Sequence, residues 1–165
     1  MDFSKFKPST WLMVGGGLGM LIFGLFLDWA KISIDMGEMG FKDMGTISES
    51  GGNAFDWTRG WISWFLVVAI GVIALVAVIG KMPKVKVGLP MLMVIGGGLS
   101  SILLLTMVLF GPEKHVDAAI GLYLSTASAL AATAGAVMNL KETGGSIGDL
   151  ADPNKLKGAF GQGGN

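Results

Sequence analysis

Residues Trp61 to Gly80, WISWFLVVAIGVIALVAVIG, decide what kind of protein this is. These 20 residues carry no ionisable group, and Arg59 and Lys81 bracket them. A helix of that length rises about 1.5 Å per residue and covers roughly 30 Å, the hydrocarbon thickness of a bilayer. Apolar residues fall on every side, so the stretch lacks the stripe of a helix resting on a soluble core. It reads as a membrane-spanning helix, and the rest of the chain has to be compatible with it.

Three more apolar segments follow that reading. Trp11 to Leu27 is glycine-rich, Pro90 to Phe110 is strongly apolar, and Asp117 to Leu140 is milder and rich in alanine. The composition agrees: of 165 residues, 52% are hydrophobic and 15% charged, against about a quarter charged in a soluble domain. The expected fold is an all-α membrane protein, a bundle of four transmembrane helices at about 10–29, 60–80, 90–110 and 118–140. Lys5 and Lys7 ahead of the first apolar run resemble a signal peptide, but Leu27-Asp28-Trp29-Ala30 lacks a small-x-small cleavage pattern. The segment is therefore expected to be a retained first helix.

Between the first two spans, residues 31–59 are polar and acidic, with Asp35, Glu38, Asp43, Glu49 and Asp56. Ile32, Ile34 and Met36 alternate with Ser33 and Asp35, which is strand periodicity. Gly37 to Gly40 supplies a turn, and Phe41 to Ser48 returns, giving a small β-hairpin; a solvated loop is the alternative. The tail 143–165, dominated by glycine and charge, is expected to be flexible, although Ile147, Leu150, Leu156 and Phe160 would also suit a short docking helix.

Lysine and arginine set the orientation. Lys5, Lys7, Lys81, Lys84, Lys86, Lys141, Lys155 and Lys157 fall on one side, and Lys31, Lys42, Arg59 and Lys114 on the other. The richer side is expected to be cytoplasmic, which puts both termini inside and the acidic loop outside, in a plasma (inner) membrane.

The halves look alike. Leu12-Met13-Val14-Gly15-Gly16-Gly17-Leu18 corresponds to Leu92-Met93-Val94-Ile95-Gly96-Gly97-Gly98-Leu99, and Asp56-x-x-x-Gly60 to Asp117-x-x-x-Gly121. Two similar helical hairpins, or chance likeness of apolar segments, would give this pattern. Under either reading the glycines admit close backbone approach between helices. Gly15, Gly16, Gly17, Gly19, Gly96, Gly97 and Gly98 are candidate packing positions, as is the fourth-helix row Gly121, Ser125, Ala129 and Thr133, with Gly135 on a second row. Asp56 and Asp117 stand where helices begin and are candidate caps; Asp28 and Arg59 end and begin consecutive helices and are a candidate ion pair. Trp29, Trp57 and the other tryptophans sit near helix ends, as interfacial anchors do.

Chemistry is sparse. There is no cysteine, which removes disulfides, thiolate metal sites and thiol catalysis, and His115 is the only histidine, too few for a bis-histidine haem. His115 beside Glu113 and Asp117 is half of a metal site at most, and a solvated side chain is the simpler reading. No span carries an ionisable residue away from its ends, where ion pathways would place one. The glycines after Val14 follow no strand and make no dinucleotide fingerprint. No cofactor is expected, no metal, and, at zero net charge, no nucleic acid.

Four spans, inside termini and a β-prone first loop resemble the claudin-type tetraspan plan, without that family's tryptophan-and-paired-cysteine loop signature. Phe26-x-Asp28-Trp29, Ala54-Phe55-Asp56 and Gly121-Leu122-Tyr123-Leu124 resemble a pattern in small uncharacterised four-helix membrane proteins of actinobacteria, over about residues 10 to 142. That resemblance implies a non-catalytic accessory subunit beside a larger membrane complex, a respiratory cytochrome supercomplex first and a lipid importer second, with integral membrane proteins and lipids as partners. A self-associating tetraspan structural protein and a small transporter are the rival expectations.

Overall fold

A computed structural model describes residues 6–35, 46–80, 88–113, 116–152 and 154. It contains four long helices: α1 (Pro8–Phe26), α2 (Thr58–Val78), α3 (Gly88–Phe110) and α4 (Ile120–Glu142). All four are long and apolar enough to cross a membrane, so the chain is built as a multi-pass membrane protein. Pro8 opens α1 at a position where its missing N–H costs no hydrogen bond. Gly144, at φ +85°, ends α4. The Gly145 N–H reaches the Leu140 carbonyl at 3.0 Å and the Gly144 N–H the Lys141 carbonyl at 3.1 Å, the paired bonds of a Schellman stop.

Strands β1 (Ala30–Asp35) and β2 (Thr46–Gly51) lie between α1 and α2, and β3 (Asp117–Ala118) lies between α3 and α4. They form one antiparallel sheet in the order β2-β1-β3. Since both connections meet in this sheet, α1 and α3 run towards it and α2 and α4 away from it. The helices form a ring in which each packs on its sequence neighbours and α4 closes on α1, the most extensive seam.

The expected hairpin is present, and β3 was not anticipated. The returning strand is described over Thr46–Gly51, where the register pairs Asp35 with Thr46 and Ala30 with Gly51 and the Gly52 carbonyl accepts from the Trp29 N–H; residues 41–45 of the expected strand lie outside the described residues. The expected turn at 37–40 lies outside the described residues. Of the tail, 143–152 and 154 are described: Ser146 and Asp149 form a reciprocal capping box on a 3-10 turn, Ile147–Ala151, and Leu150 packs against the core.

Between helices surrounded by lipid there is no hydrophobic drive, so contact quality decides association. Here the glycines carry it. A Cβ on Gly17 would lie 2.7 Å from the Gly71 Cα, so α1 and α2 touch backbone to backbone. Gly16 and Gly19 face α4, where a Cβ would meet the Ser128 carbonyl and hydroxyl, each at 2.5 Å. Gly97 abuts Thr133, Gly121 abuts the Asp28 carbonyl, and Gly135 abuts Ser9 and Met13. Ser125 and Ala129 are fully buried. Gly96 has only a loose contact with Leu66.

Gly15 and Gly98 do not fit the expectation: nothing lies within 4 Å of a Cβ at either. Successive helical residues are turned by about 100°, so three glycines in a row cannot all face one neighbour. Most of the polar side chains within the spans are absorbed locally. Ser63, Ser100, Thr126, Ser128 and Thr133 bond carbonyls four residues back, and Ser101 and Thr133 join α3 to α4 at 3.0 Å.

Candidate functional site: the sheet-capped end

The sheet lies across one end of the bundle, and Trp29 holds it there. Its side chain is fully buried. The indole N–H donates to the Phe23 carbonyl at 3.1 Å, and the ring stacks on Trp57 at 6.4 Å and 9°. Its backbone N–H donates to Gly52 and its carbonyl accepts from Ala119, each at 3.0 Å. One residue thus ties α1, the hairpin, α2 and the start of α4. The expected role as an interfacial anchor is corrected: the ring is fully buried within the protein and presents no surface to a membrane interface. Trp57 is half-buried, whereas Trp11 and Trp61 are exposed, as an interfacial role requires.

The carboxylates also differ from expectation. Asp117 does not cap α4; pairing with Lys31 holds it in β3, and the N-cap is Ala119, without a side-chain bond. The Asp28 backbone carbonyl instead accepts from the Gly121 N–H at 2.9 Å. Asp56 does not cap α2. It closes a capping box with Asn53 on the preceding 3-10 turn, Ala54–Asp56, accepting from the Asn53 N–H at 2.6 Å. Asp28 and Arg59 do not pair: Asp28 accepts from the Ser50 hydroxyl at 2.8 Å, and Arg59 donates to the Pro112 carbonyl at 3.1 Å, stapling α2 to the α3–α4 link.

The resulting surface is acidic. Asp28, Glu49, Asp56, Glu113 and Asp117 gather at this end, against Lys31 and Arg59 among the described residues. A cleft of about 530 Å³ opens between the hairpin and the α3–α4 link, with Ala30, Ile32, Trp57 and Val116 as apolar lining and Glu49, Asp56 and Glu113 as acids. A second, of about 380 Å³, lies between Glu113, Asp117 and Tyr123. Among the described residues, no three His, Cys, Asp or Glu side chains come together as metal ligands would; His115 lies outside them.

Two smaller clefts lie among the helices. One, about 270 Å³ and wholly apolar, sits over the Gly17–Gly71 contact. The other, about 140 Å³, lies at the far end beside Thr10, Asn139 and Thr143. Sequence reasoning missed Gly24, Gly60 and Gly71, on which Trp64, Trp29 and Gly17 pack. An isolated glycine inside an apolar helix, as at Gly71, is the signal that could have found them.

Comparisons with protein-family models, curated proteins and solved structures return no match.

Proposed function

We propose that the protein is a non-catalytic accessory subunit that packs laterally against larger membrane proteins. One observation carries this reading: small residues lie exposed on the outward surface of two adjoining helices. Gly15 on α1 is exposed with nothing within 4 Å, and Ala127 and Ala134 are exposed on the adjoining α4. Such positions let a partner's helix backbone come close, the contact that drives association in lipid. The acidic cap adds a second, polar surface beyond the helices. The resemblance to small actinobacterial four-helix proteins supports a respiratory cytochrome supercomplex as the first assembly to examine, with a lipid importer as the second.

In this reading the protein sits in the plasma membrane with both termini cytoplasmic, supported by eight lysines on one side against three lysines and one arginine on the other. Because the chain has no cysteine, single cysteines at Ser48 and Lys141 report orientation without background. An impermeant thiol reagent on intact cells labels position 48 and spares position 141; the reverse pattern overturns the orientation. Purification in mild detergent recovers the protein in a stoichiometric hetero-complex. Recovery as a free monomer, or as a ladder of homomers, contradicts the accessory role, and the ladder favours a self-associating tetraspan protein.

A further inference from the structure

The cleft at the sheet-capped end has a chemistry that the bundle does not use. Its volume of about 530 Å³ lies within the ~300–1,000 Å³ typical of ligand sites. Ile32, Trp57 and Val116 give it apolar surface, and Glu49, Asp56 and Glu113 bring carboxylates to it. Asp56 is held by the Asn53 N–H, while Glu49 and Glu113 form no ion pair among the described residues. Arg59, near this link, is committed to the Pro112 carbonyl. Among the described residues, the cleft therefore offers apolar surface beside carboxylates that form no ion pair.

We propose that this cleft docks a segment of a partner protein that carries lysine or arginine beside an apolar side chain. Apolar surface takes the aliphatic stem or the neighbouring side chain, and Glu49 and Glu113 take the cationic head, as long basic side chains are divided between stem and charge. Charge selects this occupant over a second copy of the chain. Another copy would bring the same acid-rich cap, whose described cations are Lys31 and Arg59, the latter committed to Pro112, while Lys7 and Lys141 stand at the opposite end of the helices. This inference rests on the accessory-subunit reading and gives it a polar point of contact.

The test is photocrosslinking in native membranes from a benzophenone attached to Ser50→Cys, which lies at the cleft, with Lys141→Cys at the other end as control. The crosslinked peptide is sequenced, and recovery of the hetero-complex is measured in parallel. Position 50 is expected to yield a partner peptide containing lysine or arginine. Glu49→Gln with Glu113→Gln should lower that yield about tenfold, as should raised salt, with the thermal melt unchanged. Ile32→Ser, at an exposed position of the lining, is a second variant that removes apolar surface without touching charge, and it should also lower the yield. Adducts to a second copy, to lipid, or to a peptide without basic residues overturn the proposal, as does a yield indifferent to both variants. If the complex is recovered and the yield is indifferent, only the docking site falls; if no hetero-complex is recovered, the accessory role falls with it.

Discussion

The two ends of the bundle use their charges in opposite ways. At the end where α1 begins and α4 stops, Glu142 accepts from the buried Ser9 hydroxyl at 3.1 Å and pairs with Lys7 at 3.3 Å, so its carboxylate joins α1 to α4. At the sheet-capped end the helices are joined by backbone, tryptophan and the Arg59 side chain, while the Asp28 and Asp56 carboxylates accept from the Ser50 hydroxyl and the Asn53 N–H. Asp28 gives its carbonyl to α4, Trp29 gives its N–H and carbonyl to two neighbours, and Arg59 reaches a carbonyl rather than an acid. Glu49 and Glu113 are left without an ion pair among the described residues. Acids that the fold does not need at one end, beside an acid that it does use at the other, separate a surface for partners from a surface for stability.

The largest effect expected is at Trp29. Trp29→Ala removes a fully buried ring and should cost about 3–5 kcal/mol, read as an early, broad thermal melt in detergent. A melt close to that of the parent would mean that the sheet does not depend on this residue. Next comes Gly121→Ala, whose Cβ would lie 2.6 Å from the Asp28 carbonyl that accepts from the α4 amide. A cost of about 1–3 kcal/mol is expected by the same measurement.

At the opposite end, Glu142→Gln should cost only about 0–1 kcal/mol, because the Lys7 side chain is 65% exposed and solvent screens the pair. The loss should shrink further in high salt. Smallest of all, Glu49→Gln and Glu113→Gln should leave stability within about 0.5 kcal/mol of the parent. If either shifts the melt by more, the cap acids serve the fold, and the contrast between the two ends fails.

Much of this was readable from the chain. The four spans lie within about three residues of the observed helices at each end, since unbroken apolar runs have few alternatives in a bilayer. The hairpin was signalled by the alternation through Ile32 and Ile34. The third strand was not, because two residues, Asp117 and Ala118, have no periodicity, and their partners Lys31 and Ala30 lie far away in sequence. The same short strand explains the misplaced cap. An aspartate before an apolar run looks like an N-cap, and only the pairing with Lys31 shows that the helix has not yet begun. A tryptophan at a helix end looks the same in sequence whether it meets headgroups or, like Trp29, lies beneath a sheet. Within the glycine triplets, which residue faces α2, α4 or outward depends on how the helix is rotated, and composition does not record rotation.

The most direct test of lateral packing compares Gly15→Cys with Phe65→Cys, both outward-facing, on α1 and α2. Each is labelled with a short photocrosslinker in native membranes. Position 15 should give one dominant adduct to a different membrane protein, and position 65 mainly adducts to lipid. If position 15 also gives lipid alone, or only a second copy of this chain, the outward glycine is no docking point and the accessory role is contradicted.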